Sequence, residues 1–99
     1  MKKLFLFMLL GTFCLGINAQ PTLKFQKGKP FRILQFTDLH YIHGDERSER
    51  TIQNIHEMID TEKPDVVIIT GDLIFGKPGY ESMKGVLDAV ASHNVPFAI

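Results

Sequence analysis

Cysteine is nearly absent: Cys14 stands alone inside an apolar N-terminal stretch, and there is none from residue 20 onward. A segment without thiols can form no disulfide and no thiolate metal site, so any metal it binds must be held by oxygen and nitrogen. Tryptophan is absent too. Neither sign of charge is in surplus, with Lys+Arg 11 against Asp+Glu 11, and such a chain lacks the basic excess that binding to a phosphate backbone needs. No nucleic acid is expected as a partner. The loop Gly76-Lys77-Pro78-Gly79 lacks the G-x-x-x-x-G-K-[ST] spacing of a phosphate-cradling loop, and no internal repeat or low-complexity segment is present. With 44% hydrophobic and 22% charged residues, the composition is that of an ordinary globular protein of one small domain.

No apolar run reaches the roughly 20 residues of a comfortable membrane span. The longest runs from Leu4 to Ile17 without a charge, directly after Lys2 and Lys3 and shortly before the small residue Ala19. That pattern predicts a signal peptide over residues 1–19, cut after Ala19 to leave Gln20 first, and hence export to the periplasm or beyond with no stable membrane span after cleavage. An uncleaved anchor is one alternative; lipoprotein processing at Cys14 is another, set back by bulky Phe13. Without residues 1–19 the chain keeps 9 basic and 11 acidic residues, a net charge of −2, over 80 residues. A chain that short buries little more than half of its unfolded surface and is marginal as an α/β fold on its own.

Residues 20–30 are polar and predict at most a short edge strand or hairpin arm. Residues 31–37, Phe-Arg-Ile-Leu-Gln-Phe-Thr, form a β-rich run bounded by Pro30 and Asp38 and predict the first core strand. A polar loop with Gly44 follows. Ser48 is a candidate N-cap for a helix over 48–62, whose Ile52, Ile55 and Ile59, helped by Met58, recur at helical spacing before Pro64. The run Val66-Val67-Ile68-Ile69-Thr70 is continuous and β-branched, as a strand buried on both faces of a parallel sheet requires. Met83, Val86, Leu87, Val90 and Ala91 mark a second helix over 80–93, and residues 95–99 predict a third strand. The order β-α-β-α-β implies right-handed crossovers and a layered α/β sheet. Because apolar Ile99 lies inside the third predicted strand, the chain is expected to be the N-terminal portion of a longer protein with an incomplete fold.

In a parallel sheet, functional groups gather beyond the carboxyl ends of the strands. After the first strand come Asp38-Leu39-His40, and after the second comes Gly71-Asp72. In an extended backbone residues i and i+2 point the same way, so Asp38 and His40 can reach one ion. If the strands are neighbours at about 4.8 Å, Asp72 joins them. A carboxylate shared between two sites can bridge two cations about 3.5–4 Å apart, the arrangement that clamps a phosphoryl group. Taken singly, each aspartate reads equally well as a turn or cap residue, and His40 as a surface histidine; their joint placement favours metal ligands.

Thr37-Asp38-Leu39-His40 and, 34 residues later, Thr70-Gly71-Asp72-Leu73 resemble the first two motifs of the calcineurin-like metallophosphoesterases, over residues 31–99. The resemblance implies a metallophosphoesterase α/β sandwich and hydrolysis of small phosphate esters by two divalent or mixed-valence ions, Mn, Fe or Zn. It makes Asp38 and His40 ligands of the first metal and Asp72 the bridge. The family's Gly-Asn-His motif and its proton-donating histidine have no matching positions here, so no catalytic acid is assigned and the 99-residue chain alone is expected to be inactive. The chain is similar to purple acid phosphatases in its Asp38-Leu39-His40-Tyr41 segment. It departs from them at Phe75, where they carry a tyrosine ligand, and at His40, which they usually lack.

The remaining candidates are plainer. His43 is either a substrate contact or a solvated loop histidine; His56 faces solvent or the helix flank; His93 suits the dipole at the end of the second helix. Tyr41 and Phe75 are placed at the mouth of the site, with core packing the simpler reading for Phe75. The mixed charges from Asp45 to Arg50 read as a wetted surface. Two other functions compete: an amidohydrolase-type enzyme, which wants H-x-H where His40 and His43 stand at H-x-x-H, and a non-catalytic α/β binding module.

Overall fold

The computed structural model of the protein describes residues 22–99. Its elements are β1 (Ile33–Thr37), α1 (Glu46–Glu62), β2 (Val66–Thr70), α2 (Gly79–Ala91) and β3 (Phe97–Ala98). The expected signal peptide at 1–19 lies outside the described residues.

The β-branched run of β2 forms the middle of a parallel three-stranded sheet of order β1-β2-β3. β1 pairs with it from Ile33↔Val66 to Thr37↔Thr70, and β3 through Val67↔Phe97 and Ile68↔Ala98. Polar groups at the start of β1 pin this register. The Arg32 amide donates to Asp65 Oδ2 at 2.7 Å, the Asp65 amide donates back to the Arg32 carbonyl at 2.8 Å, and the Arg32 guanidinium donates to the Glu62 carbonyl at 3.1 Å.

Both helices pack on one face of the sheet, as right-handed crossovers between sequential neighbours require. Phe36, Val67 and Ile69 point into that layer against Ile55, Ile59, Val86 and Val90, all buried. Val67, Val86 and Val90 are completely shielded, and a side chain of this size contributes about 1.5–3 kcal/mol on burial. The alternate residues Ile33, Gln35 and Thr37 lie on the open face, where Gln35 Nε2 donates to Thr70 Oγ1 at 3.0 Å.

The alternating β-α-β-α-β order agrees with the sequence reading, with differences at the ends of elements. No strand forms in 22–30, where the chain has only a turn near Gly28. α1 begins two residues before Ser48, because Asp45 is the N-cap and its Oδ1 accepts from the Arg47 amide at 2.9 Å. It ends at Lys63 in the left-handed conformation, its amide bonded to the Ile59 carbonyl, and Pro64 prevents continuation. Met58 is half-exposed and lies at the margin of the stripe. α2 stops at Ala91 and is followed by a turn with Asn94 at φ 56°. β3 is short, and Pro96 contributes only a carbonyl, which accepts from the Val67 amide at 2.9 Å. No helix among the described residues is long and apolar enough to cross a membrane.

Candidate metal centre

β1 and β2 end side by side at Thr37 and Thr70, and the two chains then leave the sheet together. Each continues with an exposed aspartate followed by an inward leucine: Asp38 with Leu39, and Asp72 with Leu73. The leucines insert into the core and hold the carboxylates outward. The loops stay hydrogen-bonded to each other. The Asp38 amide donates to the Gly71 carbonyl at 3.2 Å, the His40 amide to the Asp72 carbonyl at 2.9 Å and the Tyr41 amide to the Leu73 carbonyl at 3.0 Å, and a parallel bridge follows at Tyr41↔Ile74.

Asp38, His40 and Asp72 each offer a ligand atom, and these atoms lie within 4.8 Å of one another. The grouping predicted from the sequence is therefore present, but the backbone route differs. Asp38, His40 and Asp72 have φ of 52°, 47° and 51°, left-handed rather than extended. Such conformations in residues other than glycine cost about 1–3 kcal/mol each and persist only where their surroundings enforce them. Here the cross-loop hydrogen bonds do so. Gly71, at φ 43°, has open space where a Cβ would sit, so the turn, and not a close neighbour, accounts for the glycine.

All three side chains are exposed. His40 Nε2 lies 3.7 Å from Asp72 Oδ2, and Thr37 Oγ1 donates to Asp38 Oδ2 at 3.3 Å. A first-row ion with bonds of about 2.0–2.2 Å spaces adjacent ligand atoms by roughly 3.0–3.5 Å, so a small closure of these exposed side chains suffices to grip one. Two carboxylates and an imidazole, without sulfur, suit Mn, Fe or Zn.

Of the two aromatic neighbours, Phe75 takes the position at the mouth and not the simpler core reading, and Tyr41 leaves the mouth for the core. Phe75 is 63% exposed rather than in the core, with its ring 5.9 Å from that of His40. Tyr41 is buried in the core and does not line the mouth; its ring lies on α2 at Gly85, where a Cβ would come within 3.0 Å of Tyr41 Cε1. His43 is exposed, its Nδ1 3.4 Å from the Tyr41 hydroxyl.

Two buried serines hold the loop that follows His40. Ser48 Oγ accepts from the Ile42 amide at 3.1 Å, and Ser82 Oγ accepts from the His43 amide at 2.9 Å. Ser48 thus holds the loop instead of capping α1, and the sequence reading passed over Ser82. Its signal was available, since it stands one helical turn before Val86, on the apolar stripe, and a hydroxyl there must find a partner. Asp45 also does more than face water. The Arg47 guanidinium and amide bonded to it hold its carboxyl down at about 2.

A family profile described as calcineurin-like phosphoesterase matches residues 31–99, which include both ligand-bearing loops. An uncharacterized protein of Schizosaccharomyces pombe is 33% identical over 92 residues, covering 75% of this chain and 18% of its own length. The probable inactive purple acid phosphatase 29 of Arabidopsis thaliana is 31% identical, covering 98% of this chain and 29% of its own. The uncharacterized metallophosphoesterase YkuE of Bacillus subtilis is 30% identical over 67 residues, covering 68% of this chain and 23% of its own. The chain spans less than a third of each of these relatives. No solved structure matches it. By the extent of the profile match, the chain belongs to the calcineurin-like phosphoesterase family.

Proposed function

We propose that the full-length protein hydrolyses small phosphate esters at a two-metal centre in which Asp38 and His40 bind the first ion and Asp72 bridges both. The observation that carries this reading is the convergence of three ligand-type side chains from two adjacent strand ends within 4.8 Å. Family membership supports the reaction class. Mn, Fe or Zn, when bound, supplies an activated water and neutralises charge on the phosphoryl oxygens. The protein's own part is to position: the Thr37 hydroxyl orients the Asp38 carboxylate, and the Phe75 ring flanks the His40 imidazole.

Three side chains are too few to hold two ions, so the second ion needs ligands beyond those among the described residues. The 99-residue chain alone is accordingly inactive, and the full-length protein supplies the activity. Residues 1–19 direct export, which places the reaction in the periplasm or outside the cell.

A second reading, a member that does not hydrolyse, is favoured by the names of two relatives from Arabidopsis thaliana, both called probable inactive purple acid phosphatases. Turnover of an aryl phosphate by the full-length protein with added Mn, Fe or Zn separates the two. Metal-dependent hydrolysis that is lost in Asp72→Asn supports the proposal. An inert wild-type protein that still binds the ions supports the second reading.

A further inference from the structure

At the other end of the sheet, two histidines meet edge to edge. His56, midway along α1, places Nδ1 2.8 Å from Nε2 of His93, which lies just beyond α2 in the turn leading to β3. The ring centroids are 5.0 Å apart and the planes are inclined by 42°. On the far side of the His93 ring, Nδ1 lies 3.3 Å from Oδ1 of Asp60, one turn along α1 from His56. The His93 side chain is only 14% exposed. This cluster is at the amino ends of the strands, whereas Asp38, His40 and Asp72 are at the carboxyl ends, and neither phosphate-ester chemistry nor the family resemblance makes use of it.

The protonation pattern follows from the partners. An ionised carboxylate only accepts, so the neutral tautomer that suits Asp60 carries the His93 proton on Nδ1 and leaves Nε2 as a bare lone pair. In that tautomer the hydrogen of the contact between the rings comes from His56 Nδ1. A metal-ligating histidine commonly has a carboxylate at its other ring nitrogen, which favours one tautomer and raises the basicity of the ligating nitrogen, and Asp60 stands in that position behind His93. A second imidazole nitrogen is already directed at the same point.

We propose that His56 and His93 form a two-nitrogen site for an imidazole-preferring divalent ion of the Zn, Ni or Cu type, with Asp60 as the positioning residue behind His93. The ion takes the place of the hydrogen between His56 Nδ1 and His93 Nε2. The His56 proton passes through solvent to its own Nε2, so the ring remains neutral and no net proton is released. A tetrahedral ion with bonds of about 2.0–2.1 Å sets its ligand nitrogens roughly 3.4 Å apart and the two ring centres about 5.2 Å apart. The centroids already stand at nearly that distance, so the rings need only swing in place to open the 2.8 Å contact. Water completes the coordination, which makes the site open and exchangeable. By joining α1 to the segment after α2, the ion stabilises the packed helices, and the gain grows with the logarithm of its concentration above Kd.

The test is a zinc titration of the isotopically labelled full-length protein, with the imidazole nitrogens observed by NMR. The expected result is that His56 Nδ1 and His93 Nε2 shift together as one site, separately from the His40 signals. In His93→Gln the His56 response is lost while that of His40 persists, and in Asp60→Asn the affinity of the pair falls about 10–100-fold. The His40 signals report in each variant that the fold is intact. His56 and His93 signals that stay unmoved in excess zinc would show a hydrogen-bonded pair only and overturn the proposal. A full His56 response in His93→Gln would overturn it as well, and unchanged affinity in Asp60→Asn would remove Asp60 from the site.

Discussion

His40 and Asp72 are joined twice: the His40 amide donates to the Asp72 carbonyl at 2.9 Å, and the His40 imidazole Nε2 stands 3.7 Å from the Asp72 carboxylate. The main-chain bond fixes the spacing of the two loops, and the side chains inherit it. A ligand pair carried this way keeps its geometry even though both side chains are exposed to solvent, because the part that is fixed is the backbone beneath them.

Loss of Asp72 should therefore act on chemistry more than on folding. In the full-length protein, Asp72→Asn and His40→Ala are each expected to lower aryl phosphate turnover by at least about a hundredfold, since even outer partners of metal ligands are worth about 10–100-fold. Unfolding midpoints should shift little, as both side chains lie at the surface. Near-normal turnover in Asp72→Asn would exclude Asp72 as the bridge.

Ser82→Ala should do the reverse. It removes the acceptor of the His43 amide from a completely buried position and leaves a partly buried N–H without its partner, which costs about 1–3 kcal/mol. Urea denaturation of the full-length protein measures this directly. A variant as stable as wild type would mean that the 41–45 loop is held by its other contacts alone.

The pH response of α1 has a defined sign. The Asp45 carboxyl lies at about 2 in the folded protein against its ordinary 3.8, held down chiefly by the hydrogen bond from the Arg47 side chain. A carboxyl that binds its proton less readily when folded contributes stability that is fully present above the unfolded value and is lost as pH falls through the folded one. The N-terminus of α1 should thus keep its cap above about pH 4 and lose it progressively as pH falls toward 2. An NMR titration of Asp45 that gives a midpoint at or above 3.8 would contradict this.

Much of the fold is readable from local pattern. β2 is recognisable as a strand because its five consecutive residues are apolar or β-branched. The expected burial on both faces is not met, since both helices cover the side of Val67 and Ile69, and Ile68 and Thr70 lie on the open face. α1 and α2 are recognisable because their apolar residues recur on one face. The start of α1 is not, because Asp45 and Ser48 are both competent caps and the choice depends on Ser48 being engaged by the Ile42 amide, a contact formed in the folded loop. Asp38, His40 and Asp72 stand out because strand ends concentrate chemistry, yet the left-handed turns that bring them together arise from pairing between segments 34 residues apart. The contact between His56 and His93 depends on how α1 lies against the end of α2, and single-helix periodicity carries no information about that.

The proposal of export rests on Lys2, Lys3, the uncharged run from Leu4 to Ile17, and Ala19. Intact-mass analysis of protein recovered outside the cytoplasm should find Gln20, or its cyclised form, at the N-terminus. Retention of Met1 in a cytosolic fraction would contradict the proposal.

The central claim is that Asp38, His40 and Asp72 hold metal together, and anomalous diffraction from crystals of the full-length protein, collected at the Mn, Fe and Zn edges, tests it most directly. The account predicts two adjacent peaks about 3.5–4 Å apart. Asp38 and His40 should lie about 2.0–2.2 Å from the first peak, and Asp72 at bonding distance from both. Ions bound elsewhere, with these three side chains turned to solvent, would contradict it.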